Sequence, residues 1–288
     1  MKKTKIFIFL FSLALFSQQL FAGEISIDAK TFASELKSNK SMVVIDVQAA
    51  DVYAKQHIQG AINIPHKSLY KDGPVEGQFK DAADLAAIFG KKGVSNTSKI
   101  VIYDDGSQKY NSRVWWVLKY LGANDVYLLH KDMALMEAAR IPMTATAKNL
   151  PAATFEVSMK PEMNIDMAAV KALSGNQNAI LLDAREKAEF DGMDKDQRSK
   201  GHLPGAVLMN FKEVQTANGA FKSKDEIIQV ATGFGATPEK EVVVYCQTGI
   251  KAAVLYIALK EVAGYQNVKL YAGAYAEWAS VADNPIVK

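Results

Sequence analysis

The sequence predicts an α/β protein of two tandem domains, each a parallel sheet with helices on both faces. Three observations support this prediction. The chain has 288 residues, enough for two domains that each bury a core. Its second half repeats the order of motifs in its first half. Within each half, apolar strands alternate with helical segments through long connections, which favours parallel strands.

Composition excludes several classes of function. Hydrophobic residues make up 49% and charged residues 23%, as in an ordinary globular protein. The net charge is only +3, and no run of Lys and Arg with interleaved aromatic residues occurs, so nucleic-acid binding is not expected. The four histidines lack metal-ligand spacing, so we expect neither a metal site nor another cofactor.

Residues 1–22 predict a secretory signal peptide. Three lysines precede an apolar run from Ile6 to Phe16, and small residues then permit cleavage after Ala22. The run is too short for a stable membrane span, and no stable span is expected after cleavage. We therefore expect a periplasmic protein. Its single cysteine cannot form an internal disulfide there, which favours a free thiol.

The repeat pairs segments along the rest of the chain and sets the domain boundaries. The segment 100–104 aligns without a gap on 242–246. The domains are predicted at residues 23–143 and 157–288, joined by a linker of small and polar residues at 144–156. The other pairs are Asp46 with Asp183, Tyr53 with Phe190, His57 with His202, Phe79 with Phe221, Gly122 with Gly264, and Val126 with Val268.

The segment around Cys246 predicts a reactive site. Residues 242–245 predict a buried strand and 252–262 a helix, so the six residues 246–251 should connect them. Such a loop turns backbone N–H groups inward, and the helix adds the positive end of its dipole. This setting lowers a cysteine pKa from about 8.5 to roughly 3.5–7.5. We expect a reactive thiolate; a buried packing cysteine is the alternative.

The first copy has Asp104 at the position of Cys246. A carboxylate cannot carry sulfur, so the first domain is predicted to be inactive and to supply one wall of the cleft. In doubly wound sheets, ligands bind beyond the carboxyl ends of the strands, which is where the Cys246 loop falls.

These segments resemble the tandem-domain rhodanese family, the thiosulfate and 3-mercaptopyruvate sulfurtransferases. The resemblance implies that Cys246 takes sulfane sulfur from a small anionic donor, thiosulfate or 3-mercaptopyruvate. The resulting persulfide then passes its sulfur to cyanide or a thiol acceptor. A non-enzymatic persulfide carrier, or a sulfur-binding module acting on a partner protein, remains the alternative. The matching segments are 113–116, 181–185, 201–206, 242–252 and 267–278.

The resemblance also implies a substrate-binding set. Arg185 and Arg198 match positions that contact donors in the family, with structural or surface ion pairing as the alternative. His57 matches a histidine proposed to take part in the reaction, but we favour a core contact that closes a turn. The predicted binding residues of the loop are Gln247, Thr248, Gly249, Ile250 and Lys251.

The loop sequence leaves the choice of donor open. Thiosulfate-preferring members of the family carry basic residues at the positions of Gln247 and Thr248, and mercaptopyruvate-preferring members carry Gly and Ser. Lys251 could supply a cation that favours the thiolate; an exposed lysine at the start of the helix is the alternative. A related phosphatase would need five residues between cysteine and arginine. Here four residues separate Cys246 from a lysine, which disfavours that activity.

Overall fold

The computed structural model describes residues 25–39, 41–130, 132–173 and 175–288. The predicted signal peptide, residues 1–22, lies outside the described residues. Within them, no helix combines the length and apolar character needed to cross a bilayer. The predicted fold class is confirmed, since each half of the chain forms a parallel sheet flanked by helices.

The first domain is built on a five-stranded sheet. Its elements are β1 Ser26–Ile27, α1 Ala29–Ser38, β2 Val43–Asp46, α2 Ala50–Lys55, β3 His57–Ile58, β4 Ile62–Asn63, α3 Ala82–Lys91, β5 Lys99–Tyr103, α4 Lys109–Tyr120, β6 Asp125–Leu129, α5 Met133–Ala138 and β7 Met143–Thr144. The sheet order is β1-β6-β5-β2-β4, and every pair in it is parallel. The short strands β3 and β7 form a separate antiparallel pair.

The second domain repeats this plan with four strands. Its elements are α6 Met167–Ala172, β8 Ala179–Asp183, α7 Lys187–Phe190, β9 Ala206–Leu208, α8 Lys224–Gly233, β10 Glu241–Tyr245, α9 Ile250–Ile257, β11 Val268–Leu270 and α10 Ala274–Ser280. The sheet order is β11-β10-β8-β9, again with parallel pairing. The central strand β10 therefore delivers Cys246 to the carboxyl edge of the sheet.

Both faces of each sheet are buried, as alternation along the central strands shows. In β10, Val242 and Val244 join one apolar core, whereas Val243 joins another on the opposite face. The first of these cores also contains residues of the first domain, so the two domains share a continuous apolar interior. Across this interface α4 packs against α9, and Trp116 meets Tyr256 edge-on at 6.5 Å between ring centroids.

Matching hydrogen bonds in the two domains confirm the predicted repeat. The Tyr103 hydroxyl accepts a hydrogen bond from the Ile58 amide at 3.0 Å, and the Tyr245 hydroxyl accepts one from Leu203 at 3.2 Å. His57 is fully buried, stacks on a tyrosine ring and hydrogen-bonds two backbone carbonyl groups. It therefore makes the turn-closing core contact that we favoured.

Residues 145–160, between the two domains, form neither helix nor strand. The predicted linker, 144–156, lies almost entirely in this segment. The segment follows the surface of the first domain, because the Ala153 amide donates to the Gly90 carbonyl oxygen at 2.9 Å. Further along, the Ser158 amide donates to the Leu121 carbonyl oxygen at 3.0 Å.

Candidate active site

The connection after β10 is shorter than predicted. Helix α9 begins at Ile250 rather than at residue 252, so the loop contains only residues 246–249. The reason is Gly249, which caps the helix with φ of +82°, a conformation that residues with a β-carbon rarely adopt. Ile250 and Lys251 consequently lie in the first helical turn, where backbone N–H groups have no partner within the helix.

Cys246 lines a cavity of about 620 Å³ between the two domains. The Cys246 residue is only 1% exposed, so the thiol is screened from bulk solvent but open to this cavity. Both domains supply walls, and the first domain lies where it was predicted to form one side of the cleft. The predicted residues that line the cavity with the cysteine are Arg198, Gln247, Thr248, Ile250 and Lys251. Gly249 and Arg185 do not line it.

Arg185 is a structural residue in this fold. It is fully buried, and its Nε and Nη2 atoms bind the Asp183 carboxylate, with 2.6 Å for the shortest contact. Its remaining donors bind the Ser199 hydroxyl and the Gly201 carbonyl oxygen. Burial disfavours the charged guanidinium, but Asp183 outweighs burial and raises the pKa of Arg185. The structure thus shows the structural pairing rather than a position from which to contact a donor.

Arg198 and Lys251 both bring a positive charge to the cavity, but they differ in how far an ion pair balances that charge. The Arg198 side chain is 51% exposed, and its contacts with Asp194 and Asp196 are long, at 3.8 and 4.0 Å. Such exposed pairs contribute little energy, so this guanidinium is available to an anion. Lys251 instead forms a 2.6 Å ion pair with Glu189, which also lines the cavity. The Lys251 charge is therefore largely balanced within the protein.

Three carbonyl groups of the cysteine loop are held on one side. The Cys246 and Gln247 oxygens accept hydrogen bonds from the Tyr275 and Ala276 amides at 2.9 and 3.0 Å. The Thr248 oxygen accepts one from Arg113 Nη2 at 3.2 Å. In a planar trans peptide, the N–H of the next residue points away from the carbonyl. The N–H groups of Gln247, Thr248 and Gly249 therefore point away from these hydrogen-bond partners.

In the first copy, the aligned loop closes around the Asp104 side chain. The Asp104 carboxylate accepts hydrogen bonds from four backbone amides, at 2.8 to 3.5 Å. Burial and the nearby Asp105 raise the pKa of Asp104, and the amide hydrogen bonds oppose that rise. The donors are the amides of Gly106, Gln108, Tyr110 and Asn111, which align with Thr248, Ile250, Ala252 and Ala253. Of these, Ala253 donates to the Gly249 carbonyl oxygen instead.

Two hairpins of unequal length distinguish the copies. Residues 71–78 form an eight-residue loop between the bridged residues Tyr70 and Phe79, and most of this loop lines the cavity over Cys246. The matching loop of the second domain, 216–220, has five residues. The shorter hairpin lies against the Asp104 loop, where Gln215 Nε2 donates to the Ser107 carbonyl oxygen at 3.3 Å.

The first domain also supplies an aromatic wall. His66 stacks on Tyr110 with ring centroids 4.3 Å apart, and both line the cavity with Tyr70. Burial, assisted by the adjacent Lys67, lowers the pKa of His66 to about 4. The imidazole is therefore neutral near pH 7. Within the described ranges, no cluster of His, Cys, Asp or Glu has the arrangement of a metal site.

The sequence predicted that the first domain supplies one wall of the cleft, but it did not show which residues do so. Arg113 belongs to the segment 113–116 that matches the family, yet neither it nor the wall residues, all more than a hundred positions before Cys246, had a predicted role. The repeat is the signal that could have indicated one of these contributions, because it aligns the loop after Tyr70 with the shorter loop 216–220 of the second copy.

Comparison with known proteins confirms the resemblance. The Rhodanese-like domain family matches residues 28–139 and 166–281. The 3-mercaptopyruvate sulfurtransferase of Escherichia coli is 29% identical, covering 84% of this chain and 86% of its own. The thiosulfate sulfurtransferase of Pseudomonas aeruginosa is 27% identical, covering 85% of this chain and 90% of its own. The crystal structure of SseA from Escherichia coli, described as a 3-mercaptopyruvate sulfotransferase, superposes with a TM-score of 0.79 at 26% identity, covering 88% of this chain and 99% of SseA. The chain therefore belongs to the rhodanese-like family, as a tandem-domain member of the sulfurtransferase type.

Proposed function

We propose that this protein moves a sulfane sulfur from thiosulfate or 3-mercaptopyruvate to cyanide or a thiol, through a persulfide on Cys246. One observation carries the proposal. The loop that holds Cys246 aligns without a gap on a loop whose backbone amides bind the Asp104 carboxylate. Amides arranged in this way stabilise negative charge, and the outer sulfur of a persulfide is negatively charged.

The chemistry needs no redox cofactor. The Cys246 thiolate attacks the outer sulfur of the donor, forming a new S–S bond. With thiosulfate, the donor S–S bond breaks and sulfite leaves with the electron pair. With 3-mercaptopyruvate, the C–S bond breaks and the pyruvate enolate takes the pair before protonation. The acceptor nucleophile then attacks the outer sulfur and regenerates the thiolate.

The charges around the cavity suit an anionic donor. Arg198 of the second domain and Lys67 and Lys109 of the first domain all line it. In the described part of the chain, neither lysine forms an ion pair with a carboxylate, so their charges are available to a ligand. We assign Arg198, with Gln247 and Thr248 of the loop, to donor binding.

Turnover with each donor tests the proposal. The purified protein should release sulfite from thiosulfate in the presence of cyanide, or pyruvate from 3-mercaptopyruvate in the presence of a thiol. Mass spectrometry should find one added sulfur atom on the peptide that contains Cys246. Cys246→Ser, a nearly isosteric change, should abolish both signals while the circular dichroism spectrum stays unchanged. Transfer by this variant near the wild-type rate would refute the mechanism. A stable persulfide without turnover of either donor would instead favour a sulfur carrier.

We also propose export to the periplasm, on the basis of residues 1–22. N-terminal sequencing of the protein from the periplasmic fraction should give a chain that starts at Gly23. Recovery of the full-length chain in the cytoplasm alone would contradict this proposal.

A further inference from the structure

Arg113 is a buried cation that the first domain places against the cysteine loop of the second. It lies on α4 and is fully buried, with its guanidinium stacked 4.1 Å from the centre of the Phe79 ring. Its Nη2 donates to the Thr248 oxygen at 3.2 Å and to the Ala272 oxygen at 3.4 Å. Among the described residues, its Nε and Nη1 atoms make no hydrogen bond of standard length and angle, although the Tyr70 side chain interacts with the guanidinium.

Burying a charge without a counter-ion costs free energy of folding. The groups around Arg113 that could serve as its counter-ion are not carboxylates. Within the described residues, no carboxylate forms an ion pair with it. Burial lowers the pKa of Arg113, and the two groups that oppose this change are Tyr70 and Cys246. Both groups become anions on losing a proton. An arginine remains charged in proteins, whereas burial raises the pKa of Tyr70 and keeps its hydroxyl protonated near pH 7.

The duplication shows that this cation is specific to the cysteine site. Arg113 aligns without a gap on Leu255 of α9 in the second copy. The first domain thus places a guanidinium against the loop that holds Cys246, whereas the aligned position in the second copy is the apolar Leu255.

The arginine also fixes the geometry of the loop. A β-carbon at position 249 would lie 2.6 Å from Cζ and both Nη atoms of Arg113, so the guanidinium packs directly on Gly249. Because Arg113 holds the Thr248 carbonyl, the Gly249 N–H in the same peptide plane points away from Arg113. The contact with Ala272 links this peptide to the segment that binds the Cys246 and Gln247 carbonyls.

We propose that Arg113 is a positioning residue for sulfur transfer: it orients the 248–249 peptide and acts as the buried counter-charge of the Cys246 sulfur anion. This inference rests on the proposed function. It makes the first domain a participant in the chemistry of the second. Arg113 does not line the cavity, so it contacts the loop rather than the donor.

Two substitutions test this role. Arg113→Met keeps most of the apolar volume without the charge, and Arg113→Lys keeps the charge without the fork of donors. With thiosulfate and cyanide, Arg113→Met should lower kcat by about 10- to 100-fold, the order expected for a misplaced catalytic group, with KM within about twofold of wild type. Arg113→Lys should recover part of kcat. Near-ultraviolet circular dichroism and urea unfolding should show that each variant is folded before its kinetic constants are compared with those of wild type.

Alkylation of Cys246 by iodoacetamide at pH 7 gives a readout that needs no sulfur donor. It should slow in Arg113→Met and recover in Arg113→Lys, even if one variant is less stable. A folded Arg113→Met variant with wild-type kcat and alkylation rate would overturn the inference, as would a rise in KM alone. Failure of wild-type protein to form a persulfide would overturn the proposed function instead, while the alkylation rates still decide the role of Arg113.

Discussion

Replacing Gly249 by alanine tests how tightly the two domains meet at the cysteine loop. Gly249 has φ of +82°, where a residue with a β-carbon costs about 1–2 kcal/mol. The new β-carbon would also lie 2.6 Å from three guanidinium atoms of Arg113, which is buried and cannot swing into solvent. Overpacking of this kind costs about 1–3 kcal/mol. We therefore expect Gly249→Ala to lower the free energy of unfolding by about 2–5 kcal/mol.

Gly264 supplies a matched control. It has nearly the same φ, +81°, but the nearest atom to a β-carbon there is the end of a lysine side chain at 3.9 Å. Gly264→Ala should therefore cost only the backbone part, about 1–2 kcal/mol. Urea unfolding of both variants and of wild type measures the difference. Equal losses for the two variants would refute the reasoning.

A double-mutant cycle isolates the contact itself. In an Arg113→Ala background, Gly249→Ala no longer meets a guanidinium, so its cost should fall to that of Gly264→Ala. The coupling energy between positions 113 and 249 should then be about 1–3 kcal/mol. A coupling energy near zero would show that the loop relaxes around the new methyl group.

Four further changes probe the charges of the site. Arg185→Met should lower the free energy of unfolding by about 3–5 kcal/mol, since it leaves Asp183 buried without its partner. Arg198→Met should leave unfolding within about 0.5 kcal/mol and raise the KM for thiosulfate; the reverse pattern would contradict these placements. Glu189→Gln should remove the ion pair with Lys251, so that the lysine charge becomes available to the donor. The KM for thiosulfate should then fall about two- to fivefold in steady-state assays, and an increase in KM would contradict this prediction. The lowered pKa of His66 means that the unfolded chain takes up a proton near pH 6.5 that the folded protein resists until about pH 4. Wild type should therefore lose more stability than His66→Gln between about pH 7 and pH 5 in urea titrations; equal losses would show that His66 does not contribute.

The sequence predicted the elements that depend on local pattern and on the repeat. The strand before Cys246 is fixed by a run of apolar residues, and the loop that follows is fixed by the change to helical spacing. The predicted helix start was two residues late, because the apolar run of helical spacing that placed it begins only at Ala252. The boundary is set by the left-handed backbone conformation of Gly249. A glycine in a sequence permits this conformation but does not show that the chain adopts it.

What the sequence could not show are contacts between groups distant along the chain. Arg185 reads as a cation at a strand end, and only the fold shows that Asp183 and the Ser199–Gly201 segment take up its donors. Arg113 appeared in the sequence only as part of the segment 113–116 that matches the family, with no predicted role. Its approach to Thr248 depends on how two helices cross at a shared core, which no periodicity encodes.

The Asp104 loop can serve as an internal reference for amide hydrogen exchange in the Cys246 loop. Its carboxylate engages amides of its loop permanently, so those hydrogens should exchange with deuterated water slowly under any condition that keeps the protein folded. Among the described residues, no carboxylate side chain takes the place of Asp104 beside the aligned amides of Thr248 and Ala252. Deuterium uptake by both loops, read in one sample before and after treatment with thiosulfate, would therefore report the charge carried by the second loop against a reference built into the same polypeptide.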